Sequence, residues 1–449
     1  MNEVCKERAF LASEKFNPGR ESGPGFGKNL KGTNMKIIHT SDWHLGARLK
    51  EEDRADEHKA FLDWLLALMK GEKPDALLVA GDIFDIKAPS PATQELYYGF
   101  LARALKSGAC RKIVVVAGNH DNAGLLAAPA RLLKELDIAV VARAQGGDAL
   151  ADEIVEVKDG DGATGLVIAA VPFMYEAELA NFSVGEVPPE TPRAGRAAAG
   201  WRRHYTEAIA AARAKAPGVP VVVTGHCTLR DADVSDDDSE RCRRIGGIDA
   251  YDPEPFAGAD YVALGHLHKP QAVKGHEARM FYSGSPLRMS FDEANGDKFV
   301  NVVTFGAAGA PPDVRRVKVP ETVPILNVEG RPDEVRERLR GLVADVKTPR
   351  YVRLLLKDFK GEARPQWEDF RQMARGSRTR ILDEIDMRPA VSATAGLKKY
   401  TGMRLRKVPP RDMAEQKLKT SNRKFSAEQI AAYLALFDAV ATETEGGWA

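Results

Sequence analysis

From residue 35 onward the chain alternates short β-branched runs with longer stretches whose apolar residues recur at helical spacing. Runs such as Ile113-Val114-Val115-Val116 and Val221-Val222-Val223 are apolar without interruption. A strand covered on one face only would alternate apolar with polar residues, so these runs read as strands buried on both faces. The pattern predicts strands at 36–40, 76–80, 112–117, 139–142, 166–171, 219–224, 261–264, 280–283 and 299–305. Phe61, Leu65, Leu68 and Met69 mark a helix over 56–70, and 196–215 forms another before the 219 strand. An α/β layered fold follows, with two sheets to accommodate the strands.

Near Pro311-Pro312 and Pro320 the pattern changes. Helices at 333–346 and 366–374 with strands at 351–356 and 379–387 predict a small α+β cap domain over 309–390. Beyond Pro389 the chain turns basic: Lys398, Lys399, Arg404, Arg406, Lys407, Arg411, Lys417, Lys419, Arg423 and Lys424 face only Asp412 and Glu415. A last helix opens with Ser426 as N-cap and Gln429 three residues on, a capping box. Its Ile430, Tyr433, Leu434, Phe437 and Val440 form one apolar stripe. Residues 1–34 show neither periodicity nor the apolar stretch of a signal peptide, and read as a disordered extension or an overextended start. The principal domain is expected over 35–308, with 391–449 a basic linker and helical tail.

Bulk properties add limits. A chain of 449 residues exceeds one compact core, and its 44% hydrophobic and 29% charged content is ordinary for a globular protein. No apolar run approaches the ~20 residues needed to span a bilayer, so no membrane role is expected. Cys5, Cys110, Cys227 and Cys242 are widely spaced, which argues against zinc–thiolate or disulfide frameworks and for a reducing cytoplasm.

Candidate chemistry collects where predicted strands end. Asp42 and His44 follow the first strand, and period two puts both on one side of an extended chain. Gly81-Asp82 ends the second strand and Gly118-Asn119-His120-Asp121 the third; Gly225-His226 and Gly265-His266-Leu267-His268 end later ones. Sites in open α/β sheets gather beyond the carboxyl ends of strands. Carboxylate, imidazole and amide oxygen make a nitrogen–oxygen ligand set for manganese, iron or zinc. Seven ligands (Asp42, His44, Asp82, Asn119, His226, His266, His268), one of them shared, suit two ions about 3.5–4 Å apart, the spacing of two-metal phosphoryl transfer. The acidic run from Asp231 to Glu240 reads as a solvated loop, Cys227 as a small buried side chain and Trp43 as packing. His39, His58, His204 and His276 read as structural or exposed.

The series D-x-H, G-D-x-x-D, G-N-H-D, G-H and G-H-x-H resembles the calcineurin-like metallophosphoesterase superfamily. More narrowly, His39-Thr-Ser-Asp-Trp-His-Leu-Gly46, Gly81-Asp-Ile-Phe-Asp85, Ala263-Leu-Gly-His-Leu-His-Lys-Pro270 and Tyr282-Ser-Gly-Ser-Pro-Leu-Arg288 resemble the SbcD family, nuclease subunits of bacterial SbcCD complexes. The resemblance implies one metal on Asp42, His44 and His268, a second on Asn119, His226 and His266, and Asp82 bridging them. It makes His120 the group that meets the phosphate and protonates or stabilises the leaving oxygen, in keeping with an unperturbed imidazole pKa of about 6.5. Asp121 either orients His120 or turns the loop. Asp85 stands where related nucleases often carry histidine, which leaves its catalytic share open. The implied protein is a two-metal, manganese-favouring DNA nuclease subunit in repair and recombination. With an SbcC-like SMC-type ATPase it would act as exonuclease and hairpin or single-strand endonuclease, as a homodimer within a heterotetramer, nucleoid-associated in the cytoplasm. Helices at 92–105 or 124–136 are candidates for the dimer contact. The final helix would pack on its own cap or dock the ATPase, and the basic tail would meet DNA, an acidic partner or solvent. No G-x-x-x-x-G-K-[ST] loop occurs, so ATP dependence would come from the partner. Two alternatives remain: a metallophosphatase or phosphodiesterase acting on small molecules or phosphoproteins, and a non-catalytic DNA-binding scaffold.

Overall fold

A computed structural model describes residues 34–234, 250–388 and 426–444, together with Arg411, Glu415 and Leu418. The expected extension at 1–34 lies outside the described residues except for its last position, and so does most of the acidic run and of the basic tail. In chain order the strands are β1 (Met35–Thr40), β2 (Arg48–Leu49), β3 (Glu52–Asp53), β4 (Ala76–Ala80), β5 (Lys112–Val116), β6 (Ile138–Val141), β7 (Ile154–Lys158), β8 (Thr164–Ala169), β9 (Val221–His226), β10 (Tyr261–Gly265), β11 (Gln271–Ala272), β12 (Met280–Tyr282), β13 (Phe299–Phe305), β14 (Asp313–Lys318), β15 (Ile325–Gly330), β16 (Arg350–Leu356) and β17 (Thr379–Asp386). The helices are α1 (Ala55–Glu72), α2 (Pro91–Ser107), α3 (Ala123–Ala127), α4 (Ala130–Lys134), α5 (Glu176–Phe182), α6 (Arg193–Lys215), α7 (Pro332–Ala344), α8 (Arg364–Ala374) and α9 (Ala427–Thr444).

Two six-stranded sheets form, ordered β14-β13-β1-β4-β5-β6 and β11-β12-β10-β9-β8-β7. Alternation along each apolar strand explains their stacking. Ile113 and Val115 face the layer that includes Phe61, Leu65 and Phe100 of α1 and α2, while Val114 and Val116 face the other sheet. Val222, Ala263 and Ile168 meet them across that interior, and Val221, Val223 and Val167 turn to Trp201, Tyr205 and Ala208 of α6. The order is therefore helix, sheet, sheet, helix, and the sheets meet along apolar faces with no polar partner needed. Parallel pairing of β1, β4 and β5, and of β9 and β10, sends their carboxyl ends to one edge.

Two details differ from the expected boundaries, and a third agrees with them. β14 pairs antiparallel with β13, so the first sheet continues past the expected limit at 308 to Lys318. Its polar sequence, with Arg315, Arg316 and Lys318, suits an exposed sheet edge and gives no buried-strand signal. The 124–136 stretch is two short helices, α3 and α4, with Pro129 as the N-cap of the second. The 92–105 stretch lies within α2, capped by Ser90, whose Oγ accepts from the Thr93 N–H at 3.1 Å.

Beyond Pro320, β15, β16 and β17 form a parallel three-stranded sheet. Val335, Leu339 and Phe370 from α7 and α8 pack on its Val328, Val352 and Leu354. This unit rests on the β2–β3 hairpin and on Phe291 through a cluster of Leu49, Phe291, Ile325 and Tyr351. Lys50 Nζ stands 3.1 Å from Asp383, and Arg353 donates to Asp292 at 2.7 Å. In α9 the Ser426–Gln429 box is reciprocal, at 2.9 and 3.2 Å; Leu434 is buried and Tyr433 exposed.

Candidate metal centre

The ligand-bearing loops are built from backbone first. Asp42, His44, Asp82 and His266 all have positive φ, at 52, 44, 50 and 95°, a conformation that non-glycine residues take up only where surroundings hold it. Here the holding is visible. The N–H groups of Asp42, His44 and Leu45 donate to the carbonyls of Gly81, Asp82 and Ile83 at 3.0, 3.0 and 2.9 Å, lacing the loop after β1 to the loop after β4. Asp42 Oδ1 accepts from the His266 N–H and Asp82 Oδ1 from the His120 N–H, each at 2.8 Å. Asp82 thus pins a neighbouring loop with Oδ1 and turns Oδ2 to His44 and His226, while Asp42 Oδ2 accepts from the Ser41 hydroxyl at 2.5 Å.

The seven expected ligands converge. His44 Nε2 lies 3.1 Å from His268 Nε2 and 3.6 Å from Asp82 Oδ2. On the other side of Asp82, Oδ2 is 3.3 Å from His226 Nε2, which is 3.0 Å from Asn119 Oδ1. His266 Nδ1 approaches that same amide oxygen at 2.8 Å. Two groups, Asp42 with His44 and His268, and Asp42 with Asp82 and His226, each bring candidate ligand atoms within 4.8 Å of one another. All except the part-exposed His266 are buried.

Charge in this enclosure is finely balanced. Burial drives the Asp42 carboxyl up from its ordinary range. The same burial opposes ionisation of Asp82, but His226, His44 and His120 outweigh it and hold that carboxyl well below its ordinary value. Burial likewise disfavours charge on His226, yet Asp82 and Asp42 beside it carry its pKa up to about 9. Desolvation of its ring within the site and the charge of His226 beside it bring His266 down to about 3.

The donor set fits cations on chemical grounds. His226 Nδ1 faces the Ala80 carbonyl at 2.8 Å and must carry a proton there. Without a cation a second proton on Nε2 bonds to Asp82 Oδ2, which is what carries the pKa up to about 9; a cation replacing that proton would be shared by Nε2, Asp82 Oδ2 and Asn119 Oδ1. Two nitrogens, His44 Nε2 and His268 Nε2, also face each other. Acceptors gathered this closely in a buried pocket need a proton or a metal cation between them, and this nitrogen–oxygen set suits a pair of divalent ions.

His120 stands beside this set, its ring centroid 4.8 Å from that of His44, with Nδ1 2.7 Å from the Asp85 carbonyl. The Asp85 carboxylate lies 3.3 Å from His44 Nδ1. Asp121 accepts from the N–H groups of Gly118, Ile83 and Phe84 at 2.8, 3.1 and 2.9 Å, tying the loop that carries Asn119 to the one that carries Asp82. Trp43 is packed between Phe61 and Phe100; His39 and His204 are buried and engaged elsewhere, His39 contacting the Tyr261 hydroxyl at 2.9 Å and His204 pairing with Glu153 at 3.0 Å, while His58 is buried close enough to His44 to feel its charge. Sequence reasoning missed Glu293 and Lys298. Glu293 Oε1 lies 3.7 Å from His268 Nδ1, and Lys298 joins Glu293 Oε2 at 2.5 Å and the His268 carbonyl at 2.9 Å. A lone Glu and a lone Lys in a polar stretch carry no motif, and only the fold brings them under His268.

Comparison with known proteins agrees with this geometry. The profile of the calcineurin-like phosphoesterases matches residues 35–270. The chain is 37% identical over 298 residues to the SbcD component of the SbcCD nuclease of Escherichia coli (strain K12), covering 66% of this chain and 71% of that one. The chain belongs to the calcineurin-like phosphoesterases, within the SbcD family. Identity to the corresponding protein of Rhodobacter capsulatus is 36%, with the same coverage, and to that of Bacillus subtilis 34%, over 60% of this chain and 66% of that one. As a member of this family the chain is a metal-dependent phosphodiesterase, and its clustered ligands form a dimetal site. Among the described residues no helix is long and apolar enough to cross a membrane.

Proposed function

We propose that this chain is the manganese-dependent nuclease subunit of a complex with an SMC-type ATPase, cutting DNA ends and hairpins in repair and recombination. The observation that carries the reading is a full two-metal ligand set with a further histidine, His120, at its edge, in a chain whose relatives are named as the SbcD components of SbcCD nucleases. Asp42, His44 and His268 would hold one ion, Asn119, His226 and His266 the other, and Asp82 Oδ2, lying between His44 and His226, would serve both. When bound, the ions supply Lewis-acid charge to the phosphoryl oxygens and a nucleophile at neutral pH.

The remaining work belongs to side chains. His120 gives its Nδ1 to the Asp85 carbonyl, which leaves Nε2 to deliver a proton to the departing oxygen. The Asp85 carboxylate fixes the rotation of His44, and Asp121 keeps the Asp82 and Asn119 loops in register. The protein would pair with a second copy in a heterotetramer, at the nucleoid in the cytoplasm. ATP dependence of exonuclease action would come from the partner, with the basic tail on DNA.

The test is manganese-dependent cleavage of a linear duplex and a hairpin, with and without the co-purified ATPase. His120→Ala should slow cleavage by about 10²-fold or more while calorimetry shows manganese binding intact. Hydrolysis of nitrophenyl phosphates with DNA left uncut, even with the partner present, would instead favour a small-molecule phosphodiesterase.

A further inference from the structure

Two loops meet at one rim of the metal centre and leave an aromatic ring there that the ligand chemistry does not use. The first loop follows Asp85 and carries exposed Ile86 and Lys87. The second follows β8. Its Phe173 N–H donates to the Ala117 carbonyl at 2.8 Å, which fixes Phe173 beside the loop bearing Asn119. The Phe173 ring stacks on His266, centroids 6.4 Å apart, and meets His226 edge-on at 6.2 Å. Tyr175 stands edge-to-face on Phe173 at 4.9 Å, and the Lys87 ammonium lies over the Tyr175 ring, 5.5 Å from its centroid. An unbroken line thus runs from two proposed metal ligands through Phe173 and Tyr175 to a lysine, two residues beyond the carbonyl that holds His120.

The chemistry of this line is that of a base platform. Tyr175 is 37% exposed, although burying an aromatic ring is favourable, and it sits beside a site built for phosphodiesters. The acidic side chains next to it already have partners: Glu178 accepts from the Tyr175 backbone N–H at 2.9 Å, and Glu176 pairs with Arg193 at 3.2 Å. A flat aromatic face with an adjacent ammonium suits a nucleobase and its flanking phosphate, and stacking of this kind tolerates any base.

Resting on the nuclease reading, we propose that Tyr175, backed by Phe173 and flanked by Lys87, forms a stacking subsite for the unpaired nucleobase next to the scissile phosphodiester. The base lies on the Tyr175 ring, and Lys87 moves from that ring to the adjoining phosphate. This subsite would draw a frayed or single-stranded nucleotide to the metals and disfavour a fully stacked duplex.

The test compares manganese-dependent cleavage of a single-stranded oligonucleotide with that of the same oligonucleotide carrying one abasic residue beside the cleaved bond. The holo-complex is used throughout. The unsubstituted chain should prefer the base-bearing strand by about tenfold in kcat/KM, chiefly through KM. Tyr175→Ala should lose that preference and Tyr175→Phe keep it. A loss of packing alone would slow both substrates and leave their ratio unchanged, and that outcome overturns the subsite. If the unsubstituted chain cleaves DNA without preferring the base, the subsite falls and the nuclease reading stands. If it cleaves no DNA at all, both fall.

Discussion

Glu293 shows how a residue outside every motif can govern one inside. Burial would raise its carboxyl, but Lys298 and then His268 overcome that and bring it down from an ordinary 4.5 to about 2. A carboxyl depressed on folding adds stability that is complete above the unfolded value and is lost as pH falls from about 4.5 towards 2. The shift corresponds to about 3 kcal/mol. Glu293→Gln should therefore cost stability of that order at neutral pH, because Lys298 keeps its charge without its counterion, and should flatten the acid limb of the denaturation profile. Urea titrations between pH 2 and 7 measure both; parallel profiles for the two proteins would contradict the assignment. The seven candidate ligands that the fold brings together were legible in the sequence because each residue type recurs at a strand end, where chemistry of this kind collects. Glu293 and Lys298 were not, because their link to His268 is made by folding, across 25 and 30 positions of chain.

At the scale of elements, the decisive event is the close approach of strand ends from opposite sheets. Gly81, at the end of β4 with φ +93°, would place any Cβ 2.2 Å from His226 Nδ1 at the end of β9. No side chain fits there, and none could adopt that φ without strain. Gly81→Ala should displace His226 from the Ala80 carbonyl and weaken binding of one of two manganese ions by about 10–100-fold, while the other binds as before. Calorimetric titration separates the two, and unchanged binding of both would refute the account. Continuous apolar runs announced the central strands. They could not announce β14, whose edge position lets it be polar. Nor could they show that 124–136 would divide into two helices, since the apolar residues there continue across Pro129.

For the molecule as a whole, the connection between the two-sheet body and the three-stranded unit is small. Leu49, Phe291, Ile325 and Tyr351 supply its apolar part, and ion pairs at the rim add little in water. Tyr351→Ala removes the largest member and should cost about 3 kcal/mol of that contact, making the segment between Lys318 and Arg331 a faster proteinase K target while manganese binding at the centre is retained. A time course with digestion unchanged would show that other contacts hold the units together. The sequence by itself determined the layered α/β class, the edge on which chemistry gathers and the set of candidate metal ligands. These follow from the period of apolar residues and from chemical type, both local properties of the chain. The tertiary structure alone decided which oxygen of Asp82 faces the centre, that Asp121 ties loops together, that Glu293 and Lys298 stand behind His268, and that Tyr175 and Lys87 meet at the rim. Those facts depend on distances between segments far apart in the chain, which packing sets and no local pattern encodes.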